Sequence, residues 1–324
     1  MVKLASAEMA EKKLATRAAF GATLAELAEE GVPVVAVDAD LTGSTTTKKF
    51  AAAAPENADK LFNCGIAEQN MIDVAAGLAL TGHVAYTGSF AVFGTGRAYD
   101  QIRNTVCYSN LDVKICPTHA GVSVGPDGGS HQMLEDVSLM RGLPNMRVLV
   151  PADYAAARAA IKLAAKTPGP VYVRMGRAAV PCVYDGDVEL ELGCAYVLRE
   201  GTDATVVACG VEIREALAAA DALAEEGISI EVIDAFSVKP LDEDTITASV
   251  AKTGCCVVAE EHSVHGGLGS AVAECLARKN PAPCEFVGVQ DRFGKSGEFE
   301  ELLGYFNLDA AAIVEAVKRA RGRK

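Results

Sequence analysis

Apolar positions along this chain fall into two patterns that alternate from end to end. In one, apolar and alanine positions recur at three- and four-residue spacing, the period of a helix with one buried face. That pattern predicts helices over about Ser6–Glu30, which Gly31 and Pro33 end, and over Glu68–Leu80, Gly96–Ser109, Gln132–Arg141 and Tyr154–Lys166. In the other, apolar residues run continuously for a strand's length, as they do where both faces of a parallel sheet are covered. Such runs predict strands at Val34–Val37, His83–Thr87, Val113–Cys116, Arg147–Val150 and Val171–Arg174. Turn residues and acidic spacers break the rhythm between Pro181 and Gly193, and a second unit follows. Its strands are expected at Thr205–Cys209, Ser229–Ile233, Cys256–Ala259 and Glu285–Val289, with a last helix over Asp309–Arg321. Alternation of this kind implies an α/β chain with mostly parallel sheets, divided into residues 1–185 and 186–324.

The length of 324 residues suits two such domains. The longest apolar runs stay far short of the roughly 20 residues that cross a bilayer, and Met1–Ser6 lacks the apolar stretch of a secretory signal. A net charge of −13 argues against a nucleic-acid partner. The basic tail Lys318–Lys324 reads as a solvated helix end that complements the helix dipole. The ten cysteines form no Cys-x-x-Cys pair, and most lie in apolar stretches. They read as reduced core thiols, which points to a cytoplasmic protein.

Candidate chemistry gathers between Gly65 and His131. Glu68 opens a predicted helix, where a carboxylate is favourably placed. Phe90 and Phe93 follow, and His119 and His131 flank the glycine-rich segment Gly125-Pro126-Asp127-Gly128-Gly129-Ser130. Asp38-Ala39-Asp40 ends the first predicted strand, at the strand end where open α/β sheets place ligands. A zinc site is not indicated, because no third His or Cys at ligand spacing accompanies the histidine pair. Glu260-Glu261-His262 through Gly269, after a predicted strand, could suggest a phosphate loop. Two adjacent glutamates would repel phosphate, so a structural role is expected there.

These segments resemble the thiamine-diphosphate enzymes of the transketolase family, over nearly the whole chain. The motifs are Gly65-Ile66-Ala67-Glu68, Phe90-Ala91-Val92-Phe93, Asp40-Leu41-Thr42-Gly43-Ser44, Thr118-His119 and Asp127-Gly128-Gly129-Ser130-His131-Gln132. The resemblance implies a pyrimidine-binding domain followed by a transketolase C-terminal domain. It also implies that Glu68 hydrogen-bonds N1′ of the cofactor's aminopyrimidine, against which Phe90 and Phe93 pack. Family members often carry a third aromatic slightly later, where this chain has Gly96. Asp40 is expected at the cofactor and the subunit contact, with Leu41 and Ile66 wedging the cofactor into its bent shape. Arg17, Ser44, His119 and Arg177 are the implied phosphate ligands, with Arg174 close enough to compete with Arg177. Asp127 would read the C2 hydroxyl, and His131 would contact the C1 hydroxyl and the nascent carbonyl oxygen. The Glu260–Gly269 run and the turn Arg292–Gly297 match segments of the family's C-terminal domain.

The family's diphosphate and magnesium motif, Gly-Asp-Gly followed by Asn, is not found; the Gly186-Asp187 pair lacks it. The resemblance therefore implies the C-terminal subunit of a split transketolase. An N-terminal subunit would supply Mg2+ and diphosphate binding in an α2β2 assembly. The implied reaction moves a two-carbon ketol unit from a ketose phosphate to an aldose phosphate. Two decarboxylating alternatives share parts of the pattern: a 1-deoxyxylulose-5-phosphate synthase and a 2-oxo-acid dehydrogenase β subunit. A regulatory paralogue is a third possibility, against which intact Glu68, His119 and His131 argue.

Overall fold

The computed structural model describes residues 2–324. Among the described residues fourteen strands form. The first seven in chain order are β1 (Lys13–Ala15), β2 (Val34–Asp38), β3 (Leu61–Asn63), β4 (Val84–Gly88), β5 (Val113–Ile115), β6 (Arg147–Leu149) and β7 (Val171–Val173). The others are β8 (Ala179–Pro181), β9 (Tyr196–Arg199), β10 (Ala204–Ala208), β11 (Ile230–Asp234), β12 (Ser237–Lys239), β13 (Cys256–Ser263) and β14 (Cys284–Val289). The larger sheet has the order β12-β6-β7-β5-β4-β2-β3, and the second has β14-β13-β10-β11-β9. Both are parallel except at one edge: β12 runs antiparallel to β6, and β9 antiparallel to β11. Every residue of β2, β4, β5, β7, β10 and β11 is buried. Their continuous apolar runs follow from helices covering both faces.

Four helices matter for the site: α1 (Ala18–Glu29), α2 (Glu68–Leu80), α3 (Asp136–Arg141) and α4 (Tyr154–Lys166). Asp153 caps α4 by accepting from the Ala156 amide at 2.8 Å. Its second oxygen accepts from the Val183 and Tyr184 amides, which ties the start of the inter-domain stretch to the first sheet. β12 comes from the second half of the chain yet extends the first sheet, so the two sheets are locked together.

Several elements differ from the sequence pattern. The helix expected over Ser6–Glu30 is interrupted, because Lys13–Ala15 is drawn into a two-stranded sheet with Ala179–Pro181. The Gly96–Ser109 region winds as π-helical turns at Val92–Arg97 and Ile102–Cys107, joined by the short helix Tyr99–Gln101. Gln132–Glu135 stays out of α3, since Gln132 directs its side chain to loop carbonyls. β13 runs on to Ser263, so Glu260, Glu261 and His262 lie on a strand rather than in a loop.

Candidate active site

Most of the expected site residues arise at the carboxyl ends of five neighbouring strands, β7-β5-β4-β2-β3, while Arg17 stands at the start of α1. β7 leads to Arg177, β5 to His119, β4 to Phe90 and Phe93, β2 to Asp40–Ser44, and β3 to Ile66 and Glu68. Parallel strands end together, so residues far apart in sequence share one edge of the sheet.

Glu68 is the first residue of α2, and its side chain is only 2 % exposed. Its Oε2 accepts from Arg97 Nη1 at 2.8 Å. The same guanidinium lies 4.6 Å from the Phe93 ring centroid, a cation–π contact. Arg97 is itself 49 % exposed, so it reaches Glu68 from the solvent side. The sequence reading missed Arg97; its signal was a cation four residues after Phe93.

The four rings expected from three separate motifs form one cluster. Phe90 stacks on His119 with centroids 3.8 Å apart, and lies 6.2 Å from Phe93. His131 meets the edge of Phe93 at 5.4 Å. His119 is buried at φ 61°, the left-handed region that a non-glycine residue seldom occupies. Its Nδ1 is 2.7 Å from Thr118 Oγ1. Burial, then the nearby charges of Arg17, Arg177 and His131, push its pKa down to about 3, so the ring is neutral at physiological pH. His131 is half-buried, with Nδ1 2.9 Å from Ser130 Oγ.

Arg17 and Arg177 converge on the same edge. Arg17 Nη1 donates to the Ser44 carbonyl at 2.7 Å, and Arg177 Nη1 to the Val124 carbonyl at 3.1 Å. The Arg17 pKa is lowered, first by burial and then by the like charge of Arg177, with Asp127 partly offsetting both. Two half-buried guanidiniums bonded to carbonyls keep donors for an anion. Arg174 is committed elsewhere. Its Nε donates to Asp136 Oδ2 at 2.7 Å and its Nη2 to Asp136 Oδ1 at 3.2 Å, deep in the interior.

Asp40 is exposed at φ 65°, and Asn63 Nδ2 donates to its Oδ1 at 3.0 Å. Beneath it the buried Asp38 carboxylate shapes the Asp40–Ser44 turn, accepting from the Leu41 amide at 2.6 Å, Thr45 Oγ1 at 2.7 Å and Thr47 Oγ1 at 2.9 Å. Burial raises the Asp38 pKa while these donors oppose the rise. Leu41 is half-buried and Ile66 is 80 % exposed. Among the described residues no hydrogen bond or ring contact joins Asp40, Leu41 or Ile66 to the aromatic cluster.

The second domain props up the glycine-rich loop. Gln132 Nε2 donates to the Lys295 carbonyl at 2.9 Å, and its Oε1 accepts from the Lys295 amide at 2.8 Å. Gly129 packs so closely on this turn that a Cβ there would stand 2.6 Å from the Gly294 carbonyl oxygen. Glu260 accepts from the amides of Leu268 and Gly269, both at 2.8 Å, and so caps the following helix. Glu261 turns the other way and meets the Ser123 amide and hydroxyl. Burial pushes its pKa up to about 7 against the pull of Arg174 and Ser123.

A buried acid at a helix start lies beside stacked rings, with two guanidiniums on the same sheet edge, an arrangement in an α/β protein that suits a flat heterocycle and an anion. Residues 12–183 match the transketolase pyrimidine-binding domain, and residues 193–313 match the transketolase C-terminal domain. The chain belongs to the transketolase family. It superposes on a structure described as split gene transketolase, inactive beta4 tetramer, with TM-score 0.87 and 48% identity, covering 96% of this chain and 99% of the other. A 6-deoxy-6-sulfo-D-fructose transketolase subunit from a Clostridium species is 42% identical over 93% of this chain and 92% of its own length. An apulose-4-phosphate transketolase subunit from Phocaeicola vulgatus is 38% identical over 94% of this chain and 97% of its own. The chain spans nearly the full length of these split-transketolase relatives, which makes it a component of a transferase.

Proposed function

We propose that this chain joins an N-terminal transketolase subunit, as α2β2, and transfers a two-carbon ketol unit from a ketose phosphate to an aldose phosphate. The observation that carries this reading is the shared sheet edge: Glu68 and the stacked rings at one end, Arg17, Arg177 and the histidines at the other. Thiamine diphosphate, when bound, supplies the carbon centre that lets the donor's C2–C3 bond break. A dry carboxyl with rings beside it fits the aminopyrimidine half of that cofactor. Glu68 would share a proton with N1′ once Arg97 has moved aside, and Phe90 and Phe93 would flank the ring. Asp40, Leu41 and Ile66 would face the cofactor from the β2–β3 side, next to the partner. The ligands for Mg2+ and the diphosphate would come from that partner.

His131 would orient the donor through its C1 hydroxyl, and Asp127 would hydrogen-bond a neighbouring sugar hydroxyl. Arg17, Ser44, His119 and Arg177 would grip its terminal phosphate, with neutral His119 adding a hydrogen bond but no charge. Two relatives are named for a sulfo sugar and a sugar phosphate, both anionic at one end, which supports this arrangement. We divide the chain into residues 1–185 and 186–324, and place it in the cytoplasm and the pentose phosphate pathway. Ten free cysteines support a reducing compartment. The test is the purified complex with thiamine diphosphate and Mg2+. Turnover of xylulose 5-phosphate plus ribose 5-phosphate supports ketol transfer. Release of carbon dioxide from pyruvate in its place would support a decarboxylating enzyme.

A further inference from the structure

The donor loop is anchored by a residue from the other domain. Ser123 opens the turn Val122–Asp127, and both its amide and its hydroxyl are directed at one carboxylate, that of Glu261 on β13. Glu261 is 138 residues away in sequence and 3 % exposed. Gly121 faces the same carboxylate so closely that a Cβ there would stand 2.3 Å from its Cδ. The next residue, Val124, offers the carbonyl that receives Arg177 Nη1 at 3.1 Å. A continuous path therefore runs from the second domain through the turn to a phosphate-end guanidinium and to Asp127. Arg174 Nη1 also forms a longer ion pair with the Glu261 carboxylate, at 3.7 Å. Its hydrogen bonds go to Asp136 and, at 2.9 Å, to the Glu261 main-chain carbonyl. Truncating Glu261 thus leaves the buried arginine paired with Asp136, while it removes the support of the turn and the longer ion pair.

We propose that Glu261 is a positioning residue for the donor sugar phosphate: it holds Ser123, and through the turn sets Arg177 and Asp127. This rests on the ketol-transfer reading, and two measurements separate the claims. In the assembled complex, Glu261→Ala should raise the KM of the phosphorylated donor about tenfold or more, with kcat and cofactor affinity within about threefold. Glu261→Gln, which keeps an acceptor for the Ser123 amide, should restore most of that loss. In the chain alone, hydrogen exchange at Ser123–Asp127 should speed up at least about tenfold in Glu261→Ala, while the Leu268 and Gly269 amides stay protected. An unchanged donor KM in an active complex, or unchanged exchange at the turn, overturns the proposal. So does a uniform rise in exchange across both sheets, which would mark general loosening. If the wild-type complex transfers no ketol unit, the functional reading fails. The exchange result then decides alone whether Glu261 holds the turn.

Discussion

Replacing Arg174 by Met should cost this chain about 3–5 kcal/mol of folding stability, the usual consequence of leaving one partner of a buried ion pair unpaired. The guanidinium is 7 % exposed, and its partner Asp136 is fully buried. Two of its hydrogen bonds go to the Asp136 carboxylate and one to the Glu261 carbonyl. Met fills the volume but leaves Asp136 with the Tyr172 hydroxyl as its remaining side-chain donor. For 324 residues, an unfolding entropy near 2.1 cal/mol/K per residue gives about 0.7 kcal/mol/K, so Tm should fall roughly 4–7 °C. Arg177→Met, on the open edge, should change stability by less than about 1 kcal/mol and act on the donor KM instead. Urea unfolding followed by circular dichroism checks the first pair of values, and donor kinetics of the complex check the last. A loss below about 1 kcal/mol for Arg174→Met, or a larger one for Arg177→Met, would refute the division of labour between these arginines.

Three further outcomes are expected. Glu68→Ala should lower kcat of the complex about 10²–10⁴-fold, the usual worth of a positioned acid–base group, with assembly unchanged by size-exclusion chromatography. Arg17→Ala should cut kcat/KM for a phosphorylated donor by roughly 10–150-fold, matching about 1.5–3 kcal/mol for hydrogen bonds to a charged group. The same variant should be nearly neutral toward an unphosphorylated donor. His119, held down to about 3 when folded, binds its proton more readily in the unfolded chain. It costs nothing well above the ordinary value near 6.5 and destabilises the fold increasingly as pH falls below it. At pH 5 the cost is about 2 kcal/mol relative to pH 7.5. His119→Gln should remove that part of the acid sensitivity in urea titrations at the two pH values; an unchanged slope would sink the assignment.

Much of this was legible in the residues. Continuous apolar runs such as Val34–Val37 marked central strands, because a parallel sheet covered on both faces leaves no polar alternation to confuse the period. The short edge elements were not legible. Leu61–Asn63 and Ser237–Lys239 carry three residues each and owe their conformation to a partner strand. The same tertiary pull broke the Ser6–Glu30 helix at Lys13–Ala15. Motifs carried Glu68, the rings and the glycine-rich loop, since their chemistry fixes residue type and spacing. The Arg97 contact to Glu68 and the Glu261 contact to Ser123 span 29 and 138 residues, so local pattern could mark the Glu260–Gly269 run as structural but not its partner.

The most direct test is to pull this chain from its native lysate, identify what copurifies at equal stoichiometry, and assay the complex with thiamine diphosphate, Mg2+, xylulose 5-phosphate and ribose 5-phosphate. The account predicts a second chain carrying the diphosphate-binding motif, and sugar turnover only when both chains are present. A chain that comes down alone, or a complete complex that moves no ketol unit between sugar phosphates, would contradict it.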